Sequence, residues 1–325
     1  MNGTKVLNQL IKLFVVINVF LFMINFIVRG NQYILPQERI DNIINLLNRS
    51  GISVETELIK NFSPKYSANL VFIGDSVAVR DRIVKSFFGN NLAKVKRSIS
   101  SNGRNENVLY YTLDNETLAF NHNELIYMNL SVRTEKKKPL LEQARKMCMK
   151  IVDRIDGIKE PLSYKVTEED CGVYWKLTYF PVIEGIPVLD SKMEFQVYSD
   201  GVAKASMYLA DIEIKNDSRK EIYAVDLVLF GIEDYMRDNG YTTISDISLC
   251  YKQVEDEENV LGQQIVPVYK IEVEGLEEPI FVNSLKVQSI NSSSTSSGSS
   301  SAVPSAKDVL STGLLNASFL GKTLK

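Results

Sequence analysis

Apolar and polar residues fall into three regimes along this chain. In the first, from Leu13 to Val28, the sequence LFVVINVFLFMINFIV carries no charge, proline or glycine. Sixteen helical residues rise roughly 24 Å. A start near Val6 and a snorkelling Lys12 extend the element toward the ~30 Å hydrocarbon core. The pattern predicts one membrane-spanning helix. Ile27, Val28, Arg29, Gly30 and Asn31 offer no small-x-small cleavage site, so the helix reads as an uncleaved signal anchor. Lys5 and Lys12 precede it and Arg29 follows, which places the chain from about residue 30 outside the cytoplasm. Asn18 and Asn25 are seven residues apart and share one helix face. An amide in hydrocarbon is costly without a hydrogen-bond partner, so these two mark a candidate interface with another membrane helix.

The second regime alternates helical and strand periodicities. Behind Pro36 and Glu38, the residues Ile40, Ile43, Ile44, Leu46 and Leu47 repeat at helical spacing until Gly51. Strands are expected at Ile52 to Ile59 and Asn69 to Ile73. Asp75 or Ser76 then caps a helix running to Phe88, with Gly89 at its end. Ala93 to Ile99, Val108 to Leu113, Thr117 to Asn121 and Leu125 to Val132 read as an antiparallel meander. After Lys136 to Lys138, a helix from Pro139 to about Ile155 opens a second half built on the same plan of helix, strands, helix, strands. Its strands fall at Leu162 to Val166, Val173 to Pro181, Pro187 to Tyr198 and Val202 to Ile214, with a hairpin at Asp200-Gly201. A helix from Ala224 to Asp238 and strands at Ile244 to Val254, Ile265 to Val273 and Pro279 to Asn283 complete it. The third regime, from about Gln288, is Ser-rich and reads as a flexible tether.

The expected class is α+β, with an anchor followed by an extracytoplasmic domain of two helix-plus-antiparallel-sheet halves. The boundaries are a cytoplasmic tail at 1–12, the anchor at 13–28, subdomains at 29–135 and 136–287, and the tail at 288–325.

Composition narrows the chemistry. A formal net charge of -3 supplies no basic field for nucleic acid. Cys148, Cys171 and Cys250 are too few and too far apart for a disulfide framework, and no Cys/His cluster suggests zinc. The single histidine, His122, lies between Asn121 and Asn123 in an expected hairpin turn. No G-x-S-x-G elbow, phosphate loop or G-x-G-x-x-G is present. The acidic runs Glu168-Glu169-Asp170 and Glu255 to Glu258 lack the spacing of a calcium loop and read as solvated turns. No catalytic residue, metal ligand or cofactor is expected. An enzyme would need scattered carboxylates, such as Glu168 and Asp211, brought together in a cleft.

Several stretches resemble the YycI-type membrane proteins, relatives of YycH. These are the linker Tyr33-Ile34-Leu35-Pro36-Gln37-Glu38, the stretch YFPVIEGIPV from Tyr179 to Val188, the Asp200-Gly201 hairpin, the strand Val266 to Ile271 and the terminal Phe281-Val282-Asn283. Within them, Tyr179, Gly185, Pro187, Asp200, Gly201, Pro267, Tyr269 and Asn283 carry the family pattern as turn and core positions. The strand layout is also similar to PepSY-type domains. What the resemblance implies is a non-enzymatic regulator that associates with a WalK-type sensor histidine kinase, alongside a YycH-like protein. It would thereby adjust two-component control of cell-wall metabolism. The alternative is a membrane-tethered, PepSY-like inhibitor of an extracellular protease or cell-wall enzyme.

Overall fold

The computed structural model describes residues 11–23, 32–74, 76–101, 107–132, 138–155, 163–253 and 263–286. The chain is mixed α+β, with five helices and two sheets among these residues. The first helix, α1, is described over residues 11–23 and exposes apolar side chains on every side, from Phe14 (69%) to Phe22 (71%). Among the described residues no helix is long and apolar enough to cross a membrane. The expected span runs on to Val28, through residues that lie outside the described ones.

Packing divides the chain into two units. The first comprises Met1–Lys65, Lys220–Ser248 and Tyr269–Lys325. In it, α2 (Gln37–Arg49) starts after Pro36, buries Ile40, Ile43 and Leu47, and gives way to Gly51 at φ +79°. The following strand, β1, is only Ser53–Val54, shorter than the expected Ile52 to Ile59. It is short because the chain turns to pair with the segment leading into α2: Leu35 N–H donates to Lys60 O at 2.8 Å, and Phe62 N–H to Tyr33 O at 3.0 Å. Helix α5 (Val225–Asp238) buries Val225, Val228, Leu229, Ile232 and Met236. Asp226 on α5 is 8% exposed and accepts from Arg39 Nε of α2 at 2.8 Å, tying the two helices together.

The second unit comprises Tyr66–Arg219 and Leu249–Val268. It contains a nine-stranded antiparallel sheet built from two similar runs. One is helix α3 (Val77–Phe88) followed by β3 (Lys96–Ser101), β4 (Asn107–Leu113), β5 (Glu116–Asn121) and β6 (Glu124–Asn129). The other is α4 (Leu141–Val152) followed by β7 (Tyr164–Asp170), β8 (Trp175–Ile183), β10 (Met193–Tyr198) and β11 (Gly201–Tyr208), with β9 (Ile186–Pro187) as a short branch on β8. Within each run, consecutive main strands are neighbours. The last strands of the two runs then pair with each other antiparallel, with Leu125 opposite Met207 and Ile126 opposite Ser206. Both helices bury their apolar faces in one core, Ile83 and Phe87 from α3 and Ala144 and Cys148 from α4. The expected boundary at 135/136 lies outside the described residues.

The remaining strands form a six-stranded sheet in the order β1-β13-β14-β2-β12, with β15 on β14. They are β2 (Lys65–Phe72), β12 (Ala210–Lys220), β13 (Thr243–Gln253), β14 (Gln263–Val273) and β15 (Ile280–Asn283). Sequence periodicity predicts one strand from Val202 to Ile214, but the chain changes sheets at Leu209. That residue donates its N–H to Asn123 O at 2.7 Å and accepts from Ile73 N–H at 3.0 Å. Gly74 follows Ile73 directly, where a Cβ would lie 2.5 Å from His122 O.

Candidate functional site

The residues singled out from the sequence are spread over the fold. Asn18 lies on the exposed helix α1, where its Nδ2 donates to Phe14 O at 2.8 Å; Asn25 is outside the described residues. Tyr179 is buried on β8 with its ring edge-on to Phe195, and its hydroxyl lies beside the Cys148 thiol. Glu184 and Gly185, at φ +50° and +80°, form the turn that returns the chain to Pro187 on β9. Asp200 and Gly201 make the β10–β11 turn, with Gly201 at φ +144°. Pro267 lies within β14. Tyr269 is fully buried and donates its hydroxyl to Tyr223 O at 2.8 Å, and Asn283 Oδ1 accepts from Leu285 N–H at 2.9 Å. These are turn, strand and core positions, and the fold does not gather them at one surface.

The acidic run Glu168-Glu169-Asp170, expected in a turn, is the end of edge strand β7. Each carboxylate has a cation from a neighbouring segment. Glu168 accepts from Arg145 Nε on α4 at 2.9 Å, Glu169 lies 3.4 Å from Lys176 Nζ on β8, and Asp170 pairs with Lys138. Lys138 also holds the Asp170 carboxyl below the usual carboxylate range. Glu168 is thus committed to Arg145 and lies in a different sheet from Asp211 on β12. Glu255 to Glu258 lie outside the described residues. Among the described residues no group of His, Cys, Asp or Glu is placed to hold a metal. Cys148, Cys171 and Cys250 are free thiols, and burial pushes the Cys148 thiol up to about 12. His122 occupies the β5–β6 turn at φ +48°.

A groove of about 400 Å³ opens on the second unit, where α4 ends against the β6–β11 pair. It is lined by Tyr127, Asn129, Met147, Lys150, Ile151, Arg154, Gly201 and Val202. The α4 side follows from helix geometry, since Met147, Lys150 and Ile151 are spaced i, i+3 and i+4 on one face, with Arg154 in the turn just after the helix. Met147, Ile151 and Val202 present apolar surface, and Lys150, Arg154 and Asn129 bring polar groups to it. Behind the groove, Tyr127 donates its hydroxyl to Glu116 Oε1 at 2.7 Å and accepts from Asn129 Nδ2 at 3.3 Å. Burial, reinforced by Glu116, raises the Tyr127 phenol well above its usual range, so it remains a neutral donor. The Arg154 guanidinium lies 3.9 Å from Glu116 Oε1 and 5.3 Å from the Phe87 ring centroid. The groove thus sets two cations and an amide around an apolar floor. The helical half of this arrangement is legible in the sequence of α4, whereas Tyr127, Asn129 and Val202 join it only through long-range strand pairing.

The chain matches no protein-family model and no curated protein sequence. Among solved structures, it is similar to an uncharacterised protein from Eubacterium rectale ATCC 33656, at 12% identity and a TM-score of 0.47. That match covers 73% of this chain and 90% of the other. It is also similar to the C-terminal domain of YpeB from Bacillus megaterium, at 11% identity and a TM-score of 0.33, covering 64% of this chain and 92% of that domain.

Proposed function

We propose that this chain is a membrane-anchored, non-enzymatic binding module of the YycI type. In this reading its N-terminus is cytoplasmic and its α+β body lies outside the cytoplasm. It associates with a WalK-type sensor kinase, alongside a YycH-like protein, and shifts the balance between kinase conformations. The observation that carries the reading is α1. A helix apolar on every side has no stable place in water, and Phe14, Val16, Phe20 and Phe22 are all more than 60% exposed. A bilayer and a partner helix supply the missing environment. Asn18 spends one amide hydrogen on Phe14 O, which leaves its amide oxygen for a second helix. The choice of kinase rests on the turn and core motifs that resemble the YycI pattern.

The test is co-purification in mild detergent from the native membrane. Asn18→Leu combined with Asn25→Leu keeps the protein in the membrane and lowers the recovered kinase by roughly fivefold, about 1 kcal/mol of helix association. Equal recovery removes the helix interface, and no kinase with the unaltered protein removes the regulatory reading.

A further inference from the structure

We propose that the groove between α4 and the β6–β11 pair is a docking site for an acidic, extended peptide segment of a partner protein. The segment seats one apolar side chain on Met147, Ile151 and Val202 and places carboxylates against Lys150 and Arg154.

The argument starts from how α4 spends its charges. On the side facing β7, Arg145 is bound by Glu168 and Glu142. On the groove side, one turn further along, Lys150 has no ion pair among the described residues. Arg154 has one distant carboxylate, Glu116, whose Oε1 already accepts the Tyr127 hydroxyl. Lys146 and Lys150 lie four apart on α4, and Arg154 follows in the turn just after it, so cations collect at the end of the helix beside the groove. The Lys146–Lys150 pair repels by a few tenths of a kcal/mol, a cost that an anionic occupant eases.

The floor decides what kind of anion. Two isolated cations over water suit a free carboxylate as well as a peptide. Here they border an apolar floor large enough for one hydrophobic side chain, and the site is open at its mouth. An apolar anchor flanked by carboxylates is what such a surface recognises, the anchor supplying affinity and the charges orientation and association rate. The Tyr127–Glu116–Asn129 hydrogen bonds fix the wall before anything binds. With a net charge of -3 the chain offers no wider positive field, which disfavours nucleic acid and leaves the attraction local to this groove. The inference rests on the reading of the body as a binding module, but on neither the anchor nor the kinase.

The experiment uses the full chain in phosphatidylcholine nanodiscs. A random displayed-peptide library is selected against it, and the enriched peptide is then synthesised and titrated by fluorescence anisotropy. Enriched sequences are expected to pair an apolar residue with Asp or Glu. Lys150→Gln with Arg154→Gln weakens binding about tenfold or more, and so does Asn for Asp in the peptide. Lys150→Arg retains binding, and added salt weakens it. Lys150 is exposed, so Lys150→Gln alone carries the test if the double variant unfolds at a lower temperature. Failure to enrich any peptide, enrichment without acidic residues, or equal affinity for the double variant overturns the proposal. Displacement of the peptide by phosphatidylglycerol vesicles overturns it in favour of a lipid headgroup site. Because only peptide is measured, none of these outcomes bears on kinase association.

Discussion

At Gly74 a methyl group has nowhere to go: a Cβ there would lie 2.5 Å from His122 O and 2.8 Å from Asn123 Cα, both backbone atoms. Gly74→Ala must therefore move one of the two chain crossings that Leu209 binds together, at a cost of about 2–3 kcal/mol in urea unfolding. Gly240 has φ +73° but nothing within 4 Å, so Gly240→Ala costs only about 1 kcal/mol of backbone strain. Equal effects of the two substitutions would refute the close-approach account. Cys148 makes a second statement at this scale. Its thiol is neutral in the fold up to about 12, and in an unfolded chain it ionises near 8.5. The folded state binds the proton more tightly, so its contribution is complete below about pH 8.5 and is lost as pH rises toward 12. Burial also raises the phenols of Tyr179, Tyr251 and Tyr269, which act in the same direction at higher pH. Unfolding free energy should fall steadily above about pH 9. A curve flat to pH 11 contradicts the buried-thiol geometry.

At the scale of elements, the β6–β11 pair joins the two runs of the second unit. Leu125 and Met207 face each other there and are both fully buried. Either one replaced by Ala costs about 2–5 kcal/mol through lost burial and a cavity. Replacing both costs measurably less than the sum, because the two side chains share one contact. Additive losses in a double-mutant cycle would show that the runs are not joined through this pair. Much of the element structure was legible from local signals. Ser76 caps α3, its Oγ accepting from Val79 N–H at 3.4 Å. Asp200-Gly201 makes its hairpin, and the helix expected from Ala224 to Asp238 begins one residue later. What periodicity could not give were decisions made at a distance. The strand expected from Val202 to Ile214 divides at Leu209 because residues 73 and 123, far away in sequence, claim that residue's backbone. Glu168 to Asp170 looked like a turn from charge alone, and is strand because it pairs antiparallel with Trp175 to Leu177 of β8, while Arg145, Lys176 and Lys138 neutralise its carboxylates. The groove was half legible for the same reason: its helix face has a period, and its strand face depends on register.

At the scale of the whole molecule, two features have no use within the described fold. One is the exposed apolar circumference of α1, and the other is the pair of cations beside the groove, Lys150 without an ion pair among the described residues and Arg154 with only the distant Glu116. Under the proposed function the first would be covered by a bilayer, and under the further inference the second by an acidic peptide. The claim at the centre of this account is that such binding changes a kinase. Its most direct measurement is the autophosphorylation rate of the WalK-type kinase from the same membrane, reconstituted in liposomes with and without a saturating amount of the full chain. The rate should change at least about threefold, in either direction, since even 1 kcal/mol of differential binding shifts a two-state balance by about fivefold. The Asn18→Leu, Asn25→Leu double variant should lose most of that change. An unaltered rate with the two proteins present in one membrane would contradict it.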